Sequence, residues 1–315
     1  MTDSSKPLSD SIRAEYWPGL PFSAWKDTGA TLHMLTQMVG KIRLVQTPWI
    51  NHSWHVALYV TARGLTTSPI PYGMRLFQIN FDFIDHLLSI ETSDGQSRTM
   101  TLETRPIADY YSQLFSHLAE LGLDVKIHTK PCEIADAIPF EKDYVHAHYD
   151  PQYANRFWRI LLQADRVFTE FRSRFIGKCS PVHFFWGSFD LAVTRFSGKT
   201  APPHPGGIPN LPDWVGREAY SHEVSSCGFW PGSEDLPYPL FYSYAYPEPE
   251  GFRAVKLRPN SAAYNSTFGE FVLPYDEVRK APQPDAMLLD FLQSSYEAAA
   301  NLGKWDRGAL EGSPL

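Results

Sequence analysis

At 315 residues, with 43% hydrophobic and 20% charged content, the chain is long enough for one large or two ordinary folded domains and lies well outside the disordered range. Its net charge of -7 argues against a general nucleic-acid binder, which needs clustered Lys and Arg for phosphate contacts. Cys132, Cys179 and Cys227 are far apart and form no C-x-x-C pair, which speaks against a disulfide scaffold and suits a reducing cytoplasm, and no stretch is apolar enough for a membrane span.

Residues 1–15 read as a loose polar tail. In 31–44, Leu32, Leu35, Met38, Val39 and Ile42 fall on one helical stripe, and Pro48 lies beyond its end. Residues 55–61 read as a strand, followed by strands at 76–83, 87–91 and 98–102, with a hairpin turn at Ser93-Asp94-Gly95. Pro106 opens a helix to about Leu121, ended by Gly122; a short strand at 124–128 and an irregular connector at 130–150 follow.

The order then repeats. Residues 151–176 form a long amphipathic helix stopped by Gly177, and 182–196 reads as one long strand, apolar on both faces. The proline-rich stretch 202–212 is a structured loop or lid. Strands are expected at 220–228, 240–246, 251–257 and 268–273, and a final helix at 285–302. Helix, strands, helix, twice over, with short connections, is an α+β arrangement with mostly antiparallel sheet. Residues 48–71 and 181–204 align without a gap and share six identities, among them Pro48 with Pro181 and Leu58 with Leu191. The expectation is an internal pseudo-repeat: a first half at 16–145, a second at 146–305 carrying the polar chemistry, and a tail at 306–315.

Familiar catalytic motifs are absent. Ser197-Gly198-Lys199-Thr200 ends like a phosphate loop, but Val193 stands where its first glycine belongs. Two constellations remain. His146, His148 and Asp150 alternate, so in extended chain they would point one way and meet one cation; Asp150 can equally cap the helix that Pro151 begins. The second comprises His183 and Asp190 on the long strand and His222 and Glu223 on a later one. If these strands pair, Asp190 or His183 can meet one of the later couple across the ladder, giving a general acid/base pair or a His/carboxylate site for a divalent metal such as zinc, iron or manganese. The plainer alternative is Asp190 paired with a buried arginine and His183 as a core histidine. Arg195 and Lys199 are candidate anchors for an anionic substrate, or a surface salt bridge; Trp186 and Trp230 are candidate aromatic walls. Cys227 is a candidate nucleophile with His222 as base, or a plain buried thiol.

The segments 180–198, 221–232 and 241–249, which hold His183, Asp190, Arg195, His222 and Glu223, resemble a bacterial family catalogued as domain of unknown function 5996. The resemblance runs from about Trp25 to Trp305. It implies a bacterial cytoplasmic setting and brings no activity or cofactor. The expected function is an enzyme acting on a small polar or anionic molecule, with a non-catalytic binding module or a structural role as alternatives.

Overall fold

The structure, a computed structural model, describes residues 15–312. The expected N-terminal tail lies outside the described residues as far as position 14, as does the end of the chain from 313. The first half contributes helices α1 (Phe22–Gln46) and α2 (Ile107–Glu120) and strands β1 (Tyr59–Val60), β2 (Gly64–Thr66), β3 (Ile70–Tyr72), β4 (Arg75–Asp82), β5 (Leu87–Thr92) and β6 (Ser97–Thr101). The second contributes α3 (Pro151–Ser173), β7 (His183–Phe185), β8 (Asp190–Thr200), α4 (Asp213–Ala219), β9 (His222–Trp230) and β10 (Leu240–Tyr246). It closes with β11 (Ala263–Asn265), β12 (Glu270–Pro274), α5 (Tyr275–Lys280), α6 (Pro284–Leu302) and α7 (Arg307–Leu310).

The fold is α+β. One sheet runs β1-β2-β4-β5-β6 with β3 also on β4, the other β11-β12-β10-β9-β8-β7, and the strand pairs in both are antiparallel. The sheets meet through a bridge of Leu58 with Phe184, whose amides and carbonyls exchange hydrogen bonds of 2.9 Å. One cluster of buried apolar residues runs through both halves, from Ile79 and Leu114 to Phe241 and Leu292. The two aligned segments differ locally. Residues 190–200 form one strand, whereas the chain after Tyr59–Val60 folds back at once, because the Thr61 hydroxyl accepts from the amides of Arg63 and Gly64.

The stretch 182–196 is a hairpin, β7 and β8 joined by a turn at 186–189, and not one strand. The apolar run hides this turn because its last residue is Phe189, at φ 60, a left-handed conformation that favours glycine or asparagine. Stacking holds Phe189 there: Phe157 and His33 lie 5.2 and 4.9 Å from its ring. Residues 124–128 and 251–257 form no strand; the latter hold a short helical turn, Phe252–Ala254, entered through Gly251 at φ 83. The chain after residue 306 is docked. Tyr296 donates to Glu311 over 2.9 Å, and the Ile176 amide donates to Leu310.

Trp186 wedges the hairpin turn onto α1. Its Nε1–H donates to the Val56 carbonyl over 2.8 Å, and a Cβ added at Gly40 would sit 2.2 Å from that nitrogen. Gly40→Ala should therefore destabilise the protein by roughly 2 kcal/mol, although alanine is the better helix former by about 1 kcal/mol. Denaturant unfolding of the two proteins checks this; a more stable variant would show that the indole does not need the bare helix backbone.

Candidate functional site

Strand periodicity builds the site. On the second sheet Asp190, Ala192, Thr194 and Phe196 of β8, Val224 and Ser226 of β9, and Tyr242 and Tyr244 of β10 line one side of a cavity of about 210 Å³. Leu191, Val193 and Arg195 alternate with the first set and face the helices that pack on the other side. The roof comes from His52–Trp54, from Ile208 and Leu211 of the proline-rich stretch, and from α4 with Tyr220 after it; Glu133 stands at one end. The expected loop or lid at 202–212 is an irregular but structured cover, and α4 follows directly after it. His204 stacks on Tyr220 at 4.7 Å, and Pro209 accepts the Glu133 amide over 2.8 Å.

Asp190 is 7% exposed. Its carboxyl accepts from the Ser188 hydroxyl over 2.5 Å and from the Tyr242 phenol, which hold it in place while burial raises its pKa. Gly228, opposite Ala192 on the ladder, leaves the space through which Tyr242 reaches it, since an added Cβ would lie 2.4 Å from that phenol oxygen. Two further hydroxyl pairs line the cavity, Tyr220 with Tyr244 at 2.7 Å and Thr194 with Ser226 at 2.9 Å.

Glu133 is set with unusual care. Its φ is 63, and the preceding Cys132 is clamped by Gln37, which donates to its carbonyl over 2.7 Å and accepts from its amide over 3.0 Å. The carboxyl rests on Gly187, where Oε1 would lie 1.9 Å from an added Cβ. Burial, then the nearby charge of Asp190, pushes Glu133 up to about 7, and Glu270 on β12 up to about 7 for the same reasons. Glu133 and Ser188 also line a half-open cleft of about 530 Å³ between α1 and the 230–234 turn, so they separate an outer chamber from the inner one. His33 borders that cleft, its Nε2 2.9 Å from the Gly187 carbonyl and its pKa pulled down to about 4 by burial. At the far end His52, at φ 60, places Nδ1 2.9 Å from the Ala219 carbonyl, and its backbone amide donates to the Glu218 carboxylate.

Of the residues singled out in the sequence, Asp190 alone lines the cavity. The strands 190–200 and 222–230 do pair, but their register sets His222 opposite Thr200, ten residues and roughly 30 Å of strand from Asp190. His222 sits near the other end, its ring 6.0 Å from His52. His183 is fully buried among Trp54, Tyr59 and Phe185, with centroids 5.3–5.8 Å away and neither ring nitrogen hydrogen-bonded among the described residues; burial pulls its pKa down to about 3. Arg195 lies on the opposite side of the sheet, its guanidinium carbon 3.5 Å from the Phe171 ring centroid. Lys199 donates to the carbonyls of Gly303 and Lys304 at the end of α6, and Glu223 lies 3.9 Å from that ammonium. Cys227 is buried near Arg195, and burial pushes its thiol far up. Trp186 is the core wedge described above, and Trp230 lines the outer cleft.

Asp150 caps α3, accepting from the amides of Gln152 and Tyr153, while His146 Nδ1 is 2.6 Å from Asp143 and His148 is exposed. Among the described residues no group of three or more His, Cys, Asp or Glu side chains is arranged to hold a metal ion. Sequence reasoning missed Glu133, which sits in an irregular connector with no periodicity to mark it. It also missed the tyrosines, although Tyr242, Tyr244 and Tyr246 alternate visibly along one strand.

Among protein families, a model described as a family of unknown function (DUF5996) matches residues 17–312. No curated protein and no solved structure matches the chain. No helix among the described residues is long and apolar enough to cross a membrane.

Proposed function

The chain belongs to the family of unknown function DUF5996, and from the chemistry of its cavity we propose that it binds a small polar organic molecule there, with Glu133 exchanging a proton with the bound molecule and Asp190 orienting it. The observation that carries this reading is the pair of carboxyl groups in one cavity, one locked by two hydroxyls and the other poised near neutrality. A group whose pKa lies near the working pH is the most effective proton donor and acceptor, and divergent environments for neighbouring carboxyls separate their roles. Glu133 also faces the outer cleft, so a proton or a ligand passing between the chambers meets it. The substrate class shifts from the sequence expectation: Arg195, the supposed anchor for an anion, points away. Three free cysteines and a net charge of -7 favour a reducing compartment such as the cytoplasm and a small molecule rather than a nucleic acid as partner.

The test is to fill the cavity. Ala192 is 5% exposed and lines it, so Ala192→Phe would occupy the ligand's space. The wild type, incubated with a metabolite extract and desalted, should retain a small molecule in native mass spectrometry that the folded variant does not. Equal retention by both proteins would sink the reading. Glu133→Gln then separates chemistry from binding: it should keep the molecule and lose any conversion of it.

A further inference from the structure

The cavity carries a second chemical bias, independent of its carboxyls. Among the described residues that line it there is no Lys or Arg, and much of its wall is aromatic, with Trp54, Phe185 and Phe196 prominent. Ring faces attract cations, by about 0.5–2 kcal/mol each depending on solvent exclusion. The chain supplies its own example at the rim. The ammonium of the exposed Lys178 lies 5.4 Å from the Trp54 ring centroid and 4.8 Å from that of Phe196. Its hydrogen-bond partner is Nε2 of His52, 2.6 Å away, and not a carboxylate. His52 can accept that bond because Nδ1–H donates to the Ala219 carbonyl, which leaves the Nε2 lone pair facing the ammonium. Two of the cavity's own rings therefore already lie against an amine cation in this protein, whose pKa burial lowers and whose charged form the nearby Glu218 carboxylate favours.

We infer that the cavity selects a small organic ammonium compound, its charged nitrogen set against the ring faces and the carboxyls of Asp190 and Glu133. The inference rests on the reading of this cavity as a ligand site and adds the charge of the ligand. An anion would meet two carboxyls inside the cavity, where among the described residues no lysine or arginine lines the wall; the ammonium of Lys178 stands at the rim. A neutral isostere would gain the same burial without the attraction of the rings.

Calorimetric titration of the full chain with choline, with its uncharged isostere 3,3-dimethylbutan-1-ol and with butyrate tests this. Choline should bind about tenfold or more tighter than the isostere, and butyrate more weakly than either. Asp190→Asn combined with Glu133→Gln, checked for folding by circular dichroism, should reduce the preference over the isostere without abolishing it, because the rings remain. Ala192→Phe should block choline. Equal affinity for choline and the isostere, tighter binding of butyrate, or no binding by any probe overturns the inference. If the isostere or butyrate wins and Ala192→Phe abolishes that binding, the charge assignment fails while the cavity stands as a ligand site. Choline binding that survives Ala192→Phe overturns both.

Discussion

Arg195→Ala should lower the unfolding free energy by roughly 3–4 kcal/mol, seen as a fall of about 5 °C or more in melting temperature. The guanidinium is 1% exposed and lies 3.5, 4.4 and 5.0 Å from the ring centroids of Phe171, Tyr296 and Phe175. It also donates to the Phe171 carbonyl. Burial pulls its pKa down to about 10, so it remains charged at neutral pH, and the rings supply much of the compensation that a carboxylate would supply elsewhere. Alanine removes the contacts of three rings at once and leaves a hole between β8 and the helices. Arg195→Met refills that hole without a charge and should recover most of the loss, as buried ions often tolerate apolar replacement. Ligand binding should be unchanged in both folded variants, because the side chain faces away from the cavity. A variant of normal stability that no longer binds would show Arg195 to be an anchor after all.

The second large effect is a pH dependence. Glu133 and Glu270 have an ordinary value of 4.5 and are pushed up to about 7 in the folded protein. Below 4.5 both states hold these protons and the groups contribute nothing. Between 4.5 and 7 the unfolded chain has released them while the native state keeps them, so each group costs stability as pH rises, and the cost is complete above 7. Glu133→Gln and Glu270→Gln should each be more stable than the wild type at pH 8, by on the order of 2–3 kcal/mol, with little of that gain at pH 5.

His33 and His183 work in the opposite direction. Burial holds them at about 4 and about 3, below their ordinary 6.5, so they cost stability as pH falls through 6.5. The difference between variant and wild type at the two pH values isolates the carboxyls from them. A gain that is the same at pH 5 and pH 8 would mean that the carboxyls are not protonated in the native state.

Glu133 also shows how a site escapes a reading of the chain. Nothing local marks it: it follows a cysteine in a segment without helical or strand period. Its importance arises from Gln37, far upstream, which clamps the loop, and from Gly187, on which its carboxyl rests. His183 and Arg195 failed as site residues for the converse reason. Polar residues in an aromatic strand suggested chemistry, but strand alternation sends Asp190 to the cavity side and Arg195 to the core. The turn at Phe189 sets His183 opposite Ala192, on the other face from Arg195, where it is buried among aromatic rings.

The features legible in the amino-acid order are those that depend on neighbours a few positions apart. Apolar stripes every three or four residues mark α1, α2 and α3, although α1 begins at Phe22, well before the stripe at 31–44; Asp150-Pro151 mark the start of α3; short connections favour antiparallel pairing. These signals act within one or two turns of chain, so they survive without knowledge of the fold. The hairpin within 182–196 needed the packed molecule, because contact with Phe157 and His33 holds Phe189 in a conformation its local sequence disfavours. So did the β8–β9 register that parts His222 from Asp190, and so did the meeting of Glu133 with Asp190. Register and cavity walls come from contacts between residues tens to hundreds of positions apart, and no local pattern encodes which of those contacts wins.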